Sequence, residues 1–201
     1  MPPHPSHRLL TGAGAGPLRA SAYLSLVATI PALFSSDECT RIIALAQQQR
    51  GLAGTVDARA DSNDPIRNSI VRFLYPDTGN EWFFARLDQA VSGLNAAYAF
   101  ELQGFFEGVQ VASYREGGHY GWHMDIGPDA FSTRKLSLSV QLSPEADYDG
   151  GELEFLVGEE VASRAQGTLI AFPSFLVHRV RPVTRGTRWS LVSWVAGPAF
   201  R

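Results

Sequence analysis

Apolar positions along this chain follow two different spacings, and the change from one to the other divides it. Between residues 35 and 96 they recur every three to four positions, as Cys39, Ile42, Ile43 and Ala46 and then as Phe83, Leu87, Val91 and Leu94. Each set falls on one side of an α-helix. Ser35 and Glu38 stand at capping-box distance at the start of the first helix, and Gly51 is placed to close it. The second helix is predicted over about 80–96. AYLSLVA, residues 22–28, reads as a first strand, and IVRFL beyond Ser69 as another. From residue 101 onward the runs shorten and alternate, and FFEGVQVASY, KLSLSVQLS, GELEFLV, GTLIAFP, FLVHRV and RWSLVSWV read as six strands. Helices followed by strands imply segregated layers. Many short strands with tight turns imply a sandwich or double-sheet jelly roll, mainly β with α, with the helices buttressing one sheet.

Composition narrows the class without naming a function. A chain of 201 residues, 45% of them apolar, fits one domain with a sizeable core. Residues 1–20 carry frequent Pro and Gly and read as a flexible arm. Residues 21–201 then form a single domain, with a helical lead-in over about 35–96 and a jelly-roll core over about 101–197. The polar, turn-rich stretch 52–66 is expected to form a mobile loop near the site mouth. A net charge of −3 argues against a sequence-independent nucleic-acid binder. Of the local cluster Arg179, Arg181, Arg185 and Arg188, three are expected at the rim or surface. The single cysteine, Cys39, allows no intrachain disulfide and suits a reducing interior. With no compact apolar segment near residue 1 and no apolar run near membrane-spanning length, the expectation is a soluble, cytoplasmic protein without membrane partners.

The chemistry concentrates in YREGGHYGWHMD, residues 114–125. His123 and Asp125 lie two apart, and on a strand such side chains project to the same side, which makes a two-ligand metal clamp. His178 follows at the end of an apolar run that reads as a buried strand. Two imidazoles and one carboxylate on one face of a metal are the facial set of non-haem Fe(II) oxygenases, which leaves positions open for cosubstrate and dioxygen. Ten residues on, in another strand-like run, Arg188 needs an anionic partner if it is buried, and the 5-carboxylate of 2-oxoglutarate would supply one.

Three ordered runs then resemble the 2-oxoglutarate- and Fe(II)-dependent dioxygenases, in the prolyl 4-hydroxylase-like branch. They are YREGGHYGWHMD, KLSLSVQLSPEADYDGGELEF and FPSFLVHRVRPVTRGTRWSLVSWV, and the likeness extends over about residues 36–197. The resemblance implies a double-stranded β-helix. It also implies His123, Asp125 and His178 as Fe(II) ligands, and Arg188 with Ser190 as the grip on the distal carboxylate of 2-oxoglutarate. Tyr114 matches a tyrosine that reaches the cosubstrate or the iron-bound water in similar enzymes, although its ring could equally fill the core. Relatives often place a hydrogen-bonding residue where Gln141 stands. Lys135, Ser137, Ser139 and Gln141 share one face of their strand, so that face meets either solvent or the cosubstrate pocket. Arg67, in an Arg-x-Ser segment, borders the substrate cleft in the family, and an ordinary surface ion pair is the competing assignment.

The remaining residues of these runs receive lesser roles. Tyr120 and Trp122 share a parity opposite to that of His123, and are expected at the substrate entrance or beneath the sheet. His119 sits in a turn and is expected as a supporting or substrate-side group. Asp149, Gly150 and Gly151 read as a tight turn with a structural role. Arg185, beside Gly186, is expected in solvent. The implied reaction turns 2-oxoglutarate and dioxygen into succinate and carbon dioxide while hydroxylating a C–H bond, with ascorbate supportive. The presence of Asp125 argues against halogenation. A prolyl residue in a peptide or protein is the favoured substrate, a free amino acid or small metabolite the alternative. A non-catalytic jelly-roll binding module and a zinc hydrolase are the readings from other classes.

Overall fold

Ser35 and Glu38 cap each other reciprocally, the Ser35 hydroxyl accepting from the Glu38 amide and the Glu38 carboxylate accepting from the Ser35 amide. Helix α1 (Ser36–Gln47) follows and buries Cys39, Ile42 and Ala46. The structure, a computed structural model, describes residues 26–54, 66–157 and 161–200. The expected N-terminal arm and most of the 52–66 loop therefore lie outside the described residues. Gly51 does not close α1. The helix ends at Gln48, which stays in right-handed helical conformation and donates back to Ala46 and Leu45. Helix α2 (Glu81–Tyr98) buries Phe83, Leu87 and Val91 as their spacing requires, and ends at Ala99 in left-handed conformation. No helix among the described residues is long and apolar enough to cross a membrane.

The strands are β1 (Ala28–Ile30), β2 (Leu52–Ala53), β3 (Arg67–Asn68), β4 (Ile70–Leu74), β5 (Val109–Arg115), β6 (His119–His123), β7 (Arg134–Gln141), β8 (Tyr148–Gly150), β9 (Leu153–Phe155), β10 (Leu169–Pro173), β11 (His178–Val180) and β12 (Val183–Ala196). The first strand starts at Ala28 rather than residue 22. Leu26 and Val27 lie in the turn before it, and 22–25 are outside the described residues. The larger sheet runs β1-β10-β7-β12-β5-β4-β2, with β8 also pairing β12, and the smaller runs β3-β6-β11-β9. All these pairings are antiparallel. Two facing sheets with the helices segregated to one side make the double-stranded β-helix, mainly β with helical support.

Alternation on the larger sheet gives the molecule two cores. Leu136, Leu138, Val140, Leu142, Val111, Leu169 and Leu191 face the helices and pack with Phe34, Ile42, Phe83 and Leu87. The opposite faces, with Ala112, Tyr114, Ile170 and Phe172, meet Leu153, Phe155 and Val180 of the smaller sheet. Ser137, Ser139 and Gln141 of β7 are 0%, 7% and 3% exposed, so the polar face of this strand looks into the space between the sheets and not into solvent. The polar residues inside the barrel mark where its chemistry lies.

Leu138 is wholly buried in the core beneath the helices. Leu138→Ala is expected to cost about 3 kcal/mol through lost burial and the cavity left behind. Chemical denaturation would show this as a lower midpoint at unchanged slope.

Candidate metal centre

The step that builds the site is the pairing of β6 with β11. His178 lies opposite His123, while Val180 lies opposite Tyr120, so three residues of β6 match two of β11. That extra residue is a β-bulge, and it reverses the parity of what precedes it. Tyr120 is thereby brought onto the same side as His123, where their rings stack at 3.5 Å and 10°. This corrects the alternation-based placement of Tyr120 with Trp122. Trp122 is the one left on the outer face, where the Arg179 guanidinium lies 4.5 Å from its ring.

His123 ends β6, and Asp125 lies just beyond the strand rather than on it. Its position is set by the turn at Ser174, whose carbonyl accepts from the Asp125 amide at 3.0 Å. His123 Nε2 is then 3.7 Å from Asp125 Oδ1, and His178 Nε2 is 3.6 Å from Asp125 Oδ2. One donor atom from each of His123, Asp125 and His178 falls within 4.8 Å of the others, a spacing a single metal ion can bridge. The imidazoles are already oriented for that task. His123 Nδ1 is 2.8 Å from the Gly121 carbonyl, and His178 Nδ1 is 2.8 Å from the Leu176 carbonyl. A carbonyl only accepts, so each Nδ1 carries the proton and each Nε2 presents its lone pair.

Electrostatics favour the neutral imidazole. Burial, together with the nearby His178, pulls the pKa of His123 down to about 4 against the attraction of Asp125. The 3.7 Å approach to Asp125 is therefore not an ion pair at neutral pH. For Asp125 burial pushes the pKa up, but His178, His123 and the Ser137 hydroxyl outweigh it, and the carboxyl titrates below its ordinary range. A neutral imidazole at His123 and an ionised carboxylate at Asp125, with the His178 nitrogen beside them, suit the donor set a divalent metal takes up.

On the larger sheet, facing the same space between the sheets, lies a second polar cluster. Arg188 is 3% exposed and donates to Ser190 Oγ at 3.2 Å, with no carboxylate in reach among the described residues. Its guanidinium lies 5.5 Å from the ring of Tyr114, the residue opposite it on β5. Gln141 sits opposite Ser190, and its buried amide nitrogen has no hydrogen-bond partner. The Tyr148 hydroxyl, also buried, has none either. Gly151, at φ +67°, lets the arginine pass, because a Cβ there would come 2.9 Å from Arg188 Cδ. The Asp149–Gly151 segment thus shapes this cluster as well as turning the chain. Arg188, Ser190, Tyr114 and Gln141 are brought together, and Tyr148 joins them without having been singled out by any pattern.

Arg67 differs from the surface ion-pair expectation. It is buried, donates from Nε to Ser69 Oγ at 2.9 Å and from Nη2 to Gln110 Oε1 at 2.6 Å, and lies 4.5 Å from the Tyr120 ring. It therefore crosses from the smaller sheet to the larger one beside the triad. His119, at the start of β6, is not in the triad; its Nδ1 is 3.0 Å from the Gly117 carbonyl. Arg179 and Arg181 both pair with Glu154, and the exposed Arg185 pairs with Asp149.

Comparison with known proteins agrees with this geometry. The sequence pattern of the 2OG-Fe(II) oxygenase superfamily matches residues 109–196, the stretch holding every member of both clusters. The chain is 31% identical over 179 residues to a PKHD-type hydroxylase of Pseudomonas putida (strain W619), covering 82% of this chain and 76% of that one. It therefore belongs to the 2OG-Fe(II) oxygenase superfamily, among the PKHD-type hydroxylases. A PKHD-type hydroxylase of Idiomarina loihiensis is 38% identical over 89 residues, a match that spans 43% of this chain and 41% of that relative. Among solved structures, a Pseudomonas putida prolyl-4-hydroxylase superposes with a TM-score of 0.69 at 22% identity, covering 88% of this chain and 97% of that one. A viral collagen prolyl hydroxylase from Paramecium bursaria Chlorella virus-1, solved as a 2OG complex, superposes at 0.66 with 26% identity, covering 85% and 95%.

The depressed pKa of His123 has a consequence for stability. The folded chain holds this imidazole neutral to about pH 4, whereas an unfolded chain protonates it near 6.5. The contribution is full above pH 6.5 and is lost as the pH falls to about 4. Chelator-treated protein is expected to lose stability over that window, by on the order of 2–3 kcal/mol. Denaturation of the wild type and of His123→Gln at pH 7 and pH 4.5 checks it: the variant should show the smaller loss.

Proposed function

We propose that this protein is an Fe(II)- and 2-oxoglutarate-dependent hydroxylase whose substrate is a prolyl residue in a peptide or protein. The observation that carries the reading is one space between the two sheets, lined from the smaller by a largely buried two-histidine, one-carboxylate set and from the larger by a buried arginine without a carboxylate partner among the described residues. His123, Asp125 and His178 would hold the iron through Nε2, one carboxylate oxygen and Nε2. Arg188, Ser190, Gln141 and Tyr148 would hold the distal carboxylate of 2-oxoglutarate, their unpaired donors supplying what a buried dianion needs. Ser137 and Gln141 are four residues apart on β7, about 13 Å along the strand, which is room for a five-carbon diacid between metal and arginine. Bound together, iron, 2-oxoglutarate and dioxygen supply the oxidising chemistry that hydroxylates a C–H bond with release of succinate and carbon dioxide. The chain's part is to orient and to exclude water. The walls it offers for that purpose are Phe155, Phe172 and Val180 from the core between the sheets.

The substrate class draws on residues beside the triad. Arg67 spends two of its five N–H donors on Ser69 and Gln110, and the rest can reach a backbone carbonyl. The Tyr120 ring, stacked on His123 with the Arg67 guanidinium 4.5 Å from it, holds that arginine beside the triad. The same fold carries a prolyl hydroxylase from Trichoplax adhaerens solved with a peptide fragment of hypoxia inducible factor, at a TM-score of 0.69 and 21% identity, covering 88% of this chain and 86% of that one.

Purified protein with Fe(II), 2-oxoglutarate, ascorbate and proline-containing peptides in air is expected to form succinate, read by proton NMR, together with a 16 Da gain on the peptide, read by mass spectrometry. Asp125→Ala should lower turnover at least about 100-fold. Arg188→Ala should raise the half-saturating 2-oxoglutarate concentration at least about 30-fold, the loss expected when one partner of a buried charge pair is removed. Succinate formed with free amino acids and not with peptides would move the assignment to a small-molecule hydroxylase. No succinate and no 2-oxoglutarate binding under any condition would overturn the oxygenase reading.

A further inference from the structure

Asp125 reaches the metal centre from a loop, yet its carboxylate is held by a side chain of β7, whereas the two imidazoles are held by backbone carbonyls. Ser137 Oγ donates to Asp125 Oδ2 at 2.6 Å, and Ser174 Oγ lies 2.9 Å from Ser137 Oγ. Both serines are fully buried. The direction of these bonds follows from the donor inventory. A carboxylate only accepts, so the single Ser137 proton is spent on Oδ2, and the Ser174 hydroxyl must therefore donate to Ser137. The backbone locks the same parts together: the amides of Asp125 and Ile126 donate to the Ser174 carbonyl, and the Ser174 amide donates to the Lys135 carbonyl. From the other side Arg134 Nη1 donates to the Asp125 carbonyl at 3.1 Å. That arginine is fixed by Glu107 and by the Trp194 ring, 3.7 Å from its guanidinium carbon.

We propose that Ser174 and Ser137 form a one-way hydroxyl relay, Ser174 to Ser137 to Asp125 Oδ2, that makes Asp125 a one-oxygen ligand. Both oxygens lie near the histidines, and with Oδ2 engaged by Ser137 it is Oδ1 that is left free for the metal; offering both oxygens would weaken or break the bond from Ser137. The two serines are positioning residues: they touch neither substrate nor cosubstrate, and they act through Asp125. A bidentate carboxylate would occupy a position that a chelating cosubstrate needs, so the relay would govern metal affinity and cosubstrate access together. This inference rests on the reading of the site as an iron centre.

Binding of Mn(II) to the full chain, followed by electron paramagnetic resonance, tests the relay without turnover. Ser137→Ala is expected to weaken Mn(II) binding about tenfold, and Ser137→Thr, which keeps the hydroxyl, to stay within about threefold of wild type. Ser174→Ala should have a smaller effect in the same direction. The double variant should bind no more weakly than Ser137→Ala, because Ser174 acts only through Ser137. The absorption spectrum of the Co(II)-loaded Ser137→Ala protein should differ from that of the wild type, reporting a changed carboxylate mode. Merely structural serines would lower the melting temperature and leave Mn(II) affinity and the Co(II) spectrum in place. Folded Ser137→Ala with wild-type Mn(II) affinity, or additive losses in the double variant, would overturn the relay and leave the iron reading standing. If Ser137→Ala does not fold, Ser174→Ala decides: unchanged affinity and spectrum there would likewise overturn it. A wild-type chain that binds no divalent metal would overturn both.

Discussion

The site depends on a single ladder step, His178 of β11 opposite His123 of β6, with one extra residue in β6 just before it. A regular antiparallel pair would also set two histidines side by side. The bulge does more, because it turns Tyr120 inward to cover one imidazole face and leaves Trp122 outside. It also frees the carbonyl of Gly121 to hold His123 Nδ1. The matching bond on the other histidine comes from Leu176, two residues before His178. Both imidazoles are thus tied by a carbonyl two residues upstream, and the nitrogen left over on each points at the same volume. Tautomer and direction follow from backbone geometry, with no separate side chain needed to set them.

Charge burial sets the second constraint. A carboxylate and a guanidinium are placed within one barrel, and they are not paired with each other. Each would be costly alone. Asp125 is compensated locally by the Ser137 hydroxyl and the Ser174 turn, and Arg188 only by Ser190 and the Tyr114 ring. The asymmetry is informative: the placement of the acid beside two histidines would suit a cation, and the arginine's unspent donors would suit an anion, as the proposed function requires. The orphaned Gln141 amide and Tyr148 hydroxyl fall on the arginine side of this division, as donors awaiting an acceptor should.

Much of this was legible in the sequence, because helix periodicity and strand alternation are local. The capping box at Ser35, the buried stripe of α2 and the polar-against-leucine alternation of β7 all read correctly from spacing. Alternation gives the two faces of a strand without saying which is inside, and only the packing of Leu136 and Leu138 under the helices resolves that for Ser137 and Gln141. A bulge cannot be seen by counting in twos, so Tyr120 was assigned to the wrong side; Gly121 was its sole local hint. Arg67 needed its partner Gln110, 43 residues away, before its burial could be understood. Ser174 stands between a proline and an apolar run, and nothing nearby signals that its carbonyl anchors Asp125. Gly51 fails for a different reason: the chain leaves α1 in right-handed conformation, so no left-handed residue is required there.

These constraints divide the barrel into parts with different tolerance for change. The candidate metal ligands sit at the ends of β6 and β11 and in the bend at Asp125, whose amide is bonded to the Ser174 carbonyl. The Arg188 cluster sits on β12, which pairs with β5, β7 and β8 and forms the centre of the larger sheet. Neither can shift without breaking a ladder. Arg67, beside the triad, is different in kind: it is buried and bonded to Ser69 and Gln110, yet it stands on a two-residue strand at a sheet edge. Short edge elements can vary in length and sequence at little cost to the core, so substrate selection can diverge at that rim while the buried faces keep one chemistry.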